Sequence, residues 1–155
     1  MTTADKAWMR EALRLSQQAV AHGNEPFGAL LVKDGELVYS NEIKLTPAMT
    51  LPSTRRRPPA EFCRETGITD LRAYTPYSSC EPCFMCSGAM VWVKVAGPVY
   101  GASNRDLEIL GQEGCDCSSM VFAHSGHCPA VTSGVLREEC LQVLKDYFGA
   151  AKVCP

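Results

Sequence analysis

The chain has 155 residues, 46% of them apolar and 21% charged, with a net charge of -2 at neutral pH. That is enough apolar material for one packed domain; it argues against disorder, and no apolar run is long enough to cross a membrane as a helix. A nucleic-acid-binding protein is more often basic, because phosphate neutralisation supplies much of the affinity, so the charge disfavours a nucleic-acid partner and favours a small molecule.

In chain order, residues 4–22 carry apolar side chains at helical spacing (Trp8, Met9, Ala12, Leu13, Leu15, Ala19, Val20), with Arg10, Arg14, Gln17 and Gln18 on the other face and Gly23 as a stop. Asp5, Lys6, Arg10, Glu11 and Arg14 interrupt this stretch, so it is no signal peptide. The runs Phe27 to Val32 and Leu37 to Tyr39 flank Asp34-Gly35, a strong hairpin signal. Residues 42–51 read as loop. Residues 52–60 hold three prolines and Arg55-Arg56-Arg57 with no apolar period, so a short helix can begin only around Ala60 and must end near Gly67. The three arginines read as a solvated charge run, with phosphate contact as the alternative. Leu71 to Ser78 reads as a strand broken by Pro76, residues 83–94 as a buried helix, and Val99 to Ala102 as a short strand. Residues 104–132 read as irregular with a helical turn or two. Ser133 is a plausible cap for a last helix reaching Phe148. This order implies a single three-layer α/β domain over residues 1–155 with a mixed sheet.

Nine cysteines, an odd number in a chain without an export signal, indicate reduced thiols in the cytoplasm, some recruited to a metal. Cys83 and Cys86 stand C-x-x-C at a strand-to-helix junction. Thiolates at that spacing on a tight turn can reach one metal at about 2.3 Å, the positive end of the helix dipole favours them, and zinc is the natural guess for soft sulfur ligands; a redox dithiol or a chance pair is the alternative for the C-x-x-C taken alone.

The longer string, Tyr77-Ser78-Ser79-Cys80-Glu81-Pro82-Cys83-Phe84-Met85-Cys86-Ser87-Gly88-Ala89-Met90-Val91-Trp92, resembles the signature of the guanine-deaminase and tRNA-adenosine-deaminase branch of the zinc-dependent cytidine/deoxycytidylate deaminases. Upstream, Pro26-Phe27-Gly28-Ala29 looks like that branch's P-F-G-A, and Asn41 sits where the family places a substrate-contacting asparagine. Downstream, Val99-Tyr100-Gly101 looks like a family strand. The resemblance covers about residues 4–106. It implies an α/β/α cytidine-deaminase-like fold with about five strands, Zn2+ on Cys83 and Cys86, and hydrolytic deamination of a free base or nucleoside, a guanine-like purine or triazine first. A homodimer and a cytoplasmic location are expected with it.

The resemblance also implies a histidine ligand and a proton-shuttling glutamate, as H-A-E, about thirty residues before the first of these cysteines. Residues 52–54 there are Pro, Ser and Thr, and no histidine occurs between His22 and His124. Pro59-Ala60-Glu61 looks like H-A-E with proline for histidine, but proline cannot bind zinc and the triplet lies too close to Cys83. Two accounts fit: a genuine loss, giving a non-catalytic zinc-binding subunit that acts through dimerisation, or an out-of-frame segment over residues 52–60. Phe27 reads as pocket lining or core aromatic, and Asn41 as substrate contact or turn residue. Trp92 reads first as core, with pocket wall and dimer interface as alternatives. Asp116 could read a purine edge, against a solvated loop aspartate. His124, His127 and Cys128 read as surface loop, with replacement of the lost ligand as the minor alternative; Cys115 and Cys117 match zinc spacing poorly.

Overall fold

A computed structural model of the chain describes residues 2–42, 58–112 and 117–151. The first helix, α1 (Thr3–Ala21), is capped by Thr2, whose hydroxyl accepts the Asp5 N–H while the Asp5 carboxylate accepts the Thr2 N–H. Its apolar stripe is buried at Met9, Ala12, Leu15 and Ala19. Strands β1 (Gly28–Lys33) and β2 (Glu36–Glu42) form the expected hairpin. Asp34 and Gly35 both take positive φ, 52° and 78°, the condition for a turn whose twist matches that of the strands.

Helix α2 (Pro58–Thr66) begins earlier than the sequence suggests. Proline is tolerated in a first turn, where its missing N–H would have had no partner. Strand β3 (Tyr74–Cys80) follows, then α3 (Phe84–Trp92) and β4 (Val99–Ala102). The stretch read as irregular holds two short helices, α4 (Asn104–Ile109) and α5 (Cys117–Ala123). The last helix, α6 (Arg137–Ala151), starts four residues beyond Ser133, so that residue is not its cap. The reason is a competing set of hydrogen bonds. Tyr100 donates to the Thr132 carbonyl at 2.9 Å and Val135 to the Tyr100 carbonyl at 3.2 Å, holding 132–135 extended beside β4. Gly134 and Leu136, both at positive φ, then turn the chain into the helix.

The strands order β2-β1-β3-β4, with β1 antiparallel to both neighbours and β3 parallel to β4. Four strands form among the described residues where about five were expected; beyond β4 the pairing shrinks to one bridge, Val99 to Thr132. Pro76 fits inside β3 because β4 pairs only from Tyr77 onward. The sheet carries a core on each face. On one side Leu30 and Val32 pack with Met9, Ala12 and Leu15 of α1 and Cys140 and Leu144 of α6. On the other, Leu31 packs with Phe62 of α2, Met90 of α3 and Phe122 of α5. The alternation along β1 produces this three-layer α/β/α arrangement. Gly28 permits it: a Cβ there would stand 2.2 Å from the Ala12 carbonyl oxygen and 2.5 Å from the Ser16 nitrogen.

Candidate metal and base site

Strand β3 ends at Cys80 and the chain turns through Glu81-Pro82 into α3, with Cys83 as the N-terminal cap residue. The turn is pinned from within: Ser87 N–H donates to the Cys83 carbonyl at 2.9 Å and the Ser87 hydroxyl to the Pro82 carbonyl at 3.1 Å. The Cys83 and Cys86 sulfurs lie 3.6 Å apart. A disulfide would bring them to about 2.05 Å. Two thiolates at about 2.3 Å from a tetrahedral zinc stand about 3.8 Å apart, so the pair is spaced as two corners of a zinc site. No third histidine, cysteine or carboxylate joins them among the described residues. Cys80, by contrast, is buried in the core, and burial drives its thiol far above the ordinary range, as an inert structural cysteine requires.

Glu81 has no assigned role in the sequence pattern, and its part shows only in the fold. It is buried, and its carboxylate accepts the Asn104 N–H at 3.0 Å through one oxygen and the Ser118 N–H and hydroxyl through the other. One carboxylate thus receives the first turns of α4 and α5 and ties both to the cysteine turn. A charged residue inside an otherwise uncharged string, directly before Pro82, is the available signal, because a buried carboxylate must be paired.

A second polar group lies between β2 and α2. Glu61 is only 6% exposed; one of its oxygens accepts the Asn41 amide at 2.9 Å and the other the Arg64 guanidinium at 3.1 Å. Tyr39, two residues before Asn41 on β2, is pushed up to about 12 by burial and then by the charges of Glu61 and Glu65. Asn41 is therefore held by a helix, not free in a turn.

The remaining candidates separate. Phe27 packs against the first core, with its ring centroid 6.4 Å from that of Phe148, as a core aromatic does. Trp92 is 85% exposed, which overturns its reading as core. It stands two residues past the buried Met90 and so about 200° round the helix, turned away from the sheet. It also lies at the opposite end of α3 from the cysteines. A His124 ring nitrogen meets the Met120 carbonyl at 2.9 Å and one of His127 the Val95 carbonyl at 2.7 Å. Neither histidine forms a metal cluster with Cys83 and Cys86. Asp116, Cys115 and Arg55 to Arg57 lie outside the described residues, as does the side chain of Cys117.

The family model for the cytidine and deoxycytidylate deaminase zinc-binding region matches residues 2–102. The chain belongs to that family. Among its deaminase relatives, a tRNA-specific adenosine deaminase from Bacillus subtilis is 31% identical over 150 residues, covering 94% of this chain and 89% of that protein. A probable cytosine deaminase from Schizosaccharomyces pombe is 32% identical over 158 residues, covering 98% and 97%. Among solved structures, a guanine deaminase from Nitrosomonas europaea superposes with a TM-score of 0.77 at 24% identity, covering 93% of this chain and 84% of that one. At that identity the structural match establishes the deaminase fold, not the substrate.

Proposed function

We propose that this deaminase-family chain binds zinc through Cys83 and Cys86 and takes a free nucleobase or nucleoside, a guanine-like purine or triazine first, with very weak turnover or none. The observation that carries this reading is the 3.6 Å separation of the two sulfurs at the start of α3. The donor set fits half a zinc site. Residues 43–57 contain no histidine, cysteine, aspartate or glutamate, so that stretch of sequence supplies no third ligand of the usual kinds. Zinc, when bound, supplies the Lewis acidity that makes water a nucleophile at neutral pH. This chain's own residues do the rest: Asn41 orients the ring through its amide, and Asp116 reads a purine edge. The net charge of -2 supports a small molecule over tRNA.

The test pairs metal analysis with ammonia release from guanine and cytosine. Loss of general acid–base help alone costs about 10²–10⁴ in rate, so release should fall at least that far below a typical enzyme turnover of about 1–10³ s⁻¹. Turnover within the typical range would refute the defect. Zinc absent from wild type as well as from Cys83→Ser would leave two plain thiols and no metal site.

A second reading, a non-catalytic subunit that dimerises, is favoured by one observation. Trp92 and Phe84 are 85% and 49% exposed on α3, two large aromatic side chains that self-association through this helix would cover. Full zinc loading, a dimer and no ammonia would select it. Reading the coding DNA across residues 45–65 separates genuine loss from a frame error: if neither shifted frame encodes H-A-E, the frame account fails.

A further inference from the structure

Asn41 carries one acceptor and two donors on its amide, and which of them a ligand meets depends on what holds the other. The partner holding it is a carboxylate, which when ionised only accepts. The 2.9 Å contact to Glu61 must therefore come from Nδ2, since the flipped amide would set its own oxygen against the carboxylate. Glu61 is itself fixed: it is buried, sits in the first turn of α2, and takes the Arg64 guanidinium on its other oxygen. The second N–H of Nδ2 is within hydrogen-bond reach of the Tyr39 oxygen, so among the described residues the amide atom left for a ligand is the carbonyl oxygen Oδ1.

We propose that Glu61 is a positioning residue that locks the Asn41 amide with Oδ1 as its reading atom, so that the bound ring must present an N–H or amino donor to Asn41. The inference rests on Asn41 being a substrate contact, as proposed above. It narrows the ligand class to lactam-type or amino-substituted rings, such as a guanine with its N1–H and 2-amino group, and disfavours rings that offer only acceptors at that edge. Tyr39 supports the arrangement. It stays protonated across the working pH range, so it keeps a donor beside Glu61 and adds no second anion there.

The test measures binding of guanine, 1-methylguanine and hypoxanthine to wild type, Glu61→Gln and Asn41→Ala by equilibrium dialysis, with the Asn41 side-chain amide followed by ¹⁵N NMR. In wild type, removing at least one of the two donors should weaken binding tenfold or more, as leaving a buried acceptor unpaired does. Glutamine at 61 can offer either an oxygen or an NH₂, which frees Asn41 to flip. That variant should still bind guanine, but its preference should fall below about threefold, as in Asn41→Ala. The Asn41 amide protons should exchange slowly in wild type and faster in Glu61→Gln. A ratio of affinities is the readout because a merely structural role for Glu61 would weaken all three ligands alike. Binding indifferent to both donors in wild type, or an unchanged ratio in Glu61→Gln, overturns this inference alone. A pinned Asn41 amide with no base bound by wild type overturns the base-binding reading and this inference with it.

Discussion

Replacing Glu81 tests whether one carboxylate holds the cysteine turn to two helices. In Glu81→Ala, the Asn104 and Ser118 N–H groups lose their acceptor in a buried place. At about 1–3 kcal/mol for each unsatisfied donor, the loss comes to about 4 kcal/mol before any cavity term. Glu81→Gln should behave differently. Its amide oxygen can take the Asn104 N–H and its NH₂ can donate to the Ser118 hydroxyl, which then reverses its role. What remains lost is charge assistance and the longer 3.4 Å contact from Ser118 N–H, about 1–2 kcal/mol in all. Urea unfolding followed by circular dichroism reads both: with a slope of about 2 kcal/mol per molar, the midpoint should drop about 2 M for alanine and less than 1 M for glutamine. Alanine within 1 kcal/mol of wild type, or glutamine as damaging as alanine, would refute the assignment.

Gly28→Ala should destabilise by about 1–3 kcal/mol or more in the same assay, because the new methyl meets backbone atoms of α1, and no side chain can move to admit it. Gly101→Ala should likewise destabilise, since its Cβ would stand 2.3 Å from the Cys140 sulfur, and Cys140→Ala should restore part of the loss in the double variant. Burial raises the Asp106 carboxyl, but the Ser103 N–H and hydroxyl and the Arg137 guanidinium outweigh it, so its pKa in the fold lies below the ordinary value of 3.8. A depressed folded value gives stability that is present above the unfolded pKa and lost as pH falls through the folded one. The stability gap between wild type and Asp106→Asn should therefore be constant near neutrality and close only below about pH 4. Trp92→Ala should leave the stability of an isolated protomer nearly unchanged at 85% exposure, while sedimentation should show weakened self-association if α3 is the interface.

The cysteine turn and the hairpin were legible because each rests on local chemistry. Asp34-Gly35 accepts positive φ at little cost, and C-x-x-C at a helix start puts two sulfurs on one turn whatever the rest of the chain does. What escaped was decided by distant partners. Ser133 has the chemistry of a cap, yet the ladder from Tyr100 to Thr132 and Val135 claims its segment first. The expected fifth strand shrinks to the Val99–Thr132 bridge for the same reason. Apolar residues fill α3 so completely that no period tells Met90, turned to the sheet, from Trp92, turned away from it. Glu61 looked like a remnant of a lost motif, because nothing in Pro59-Ala60-Glu61 announces an asparagine twenty residues upstream.

The two helices that meet Glu81 have a consequence for variation. The stretch from Gln112 to Cys117 joins α4 to α5, and the first turns of both end on the same carboxylate. The anchoring is supplied from outside that stretch, by a residue belonging to the cysteine turn. A change that displaces the start of either helix is thus felt at the turn through this one carboxylate. A lineage carrying this arrangement must keep both helix starts in step with the sulfur pair for as long as it keeps Glu81.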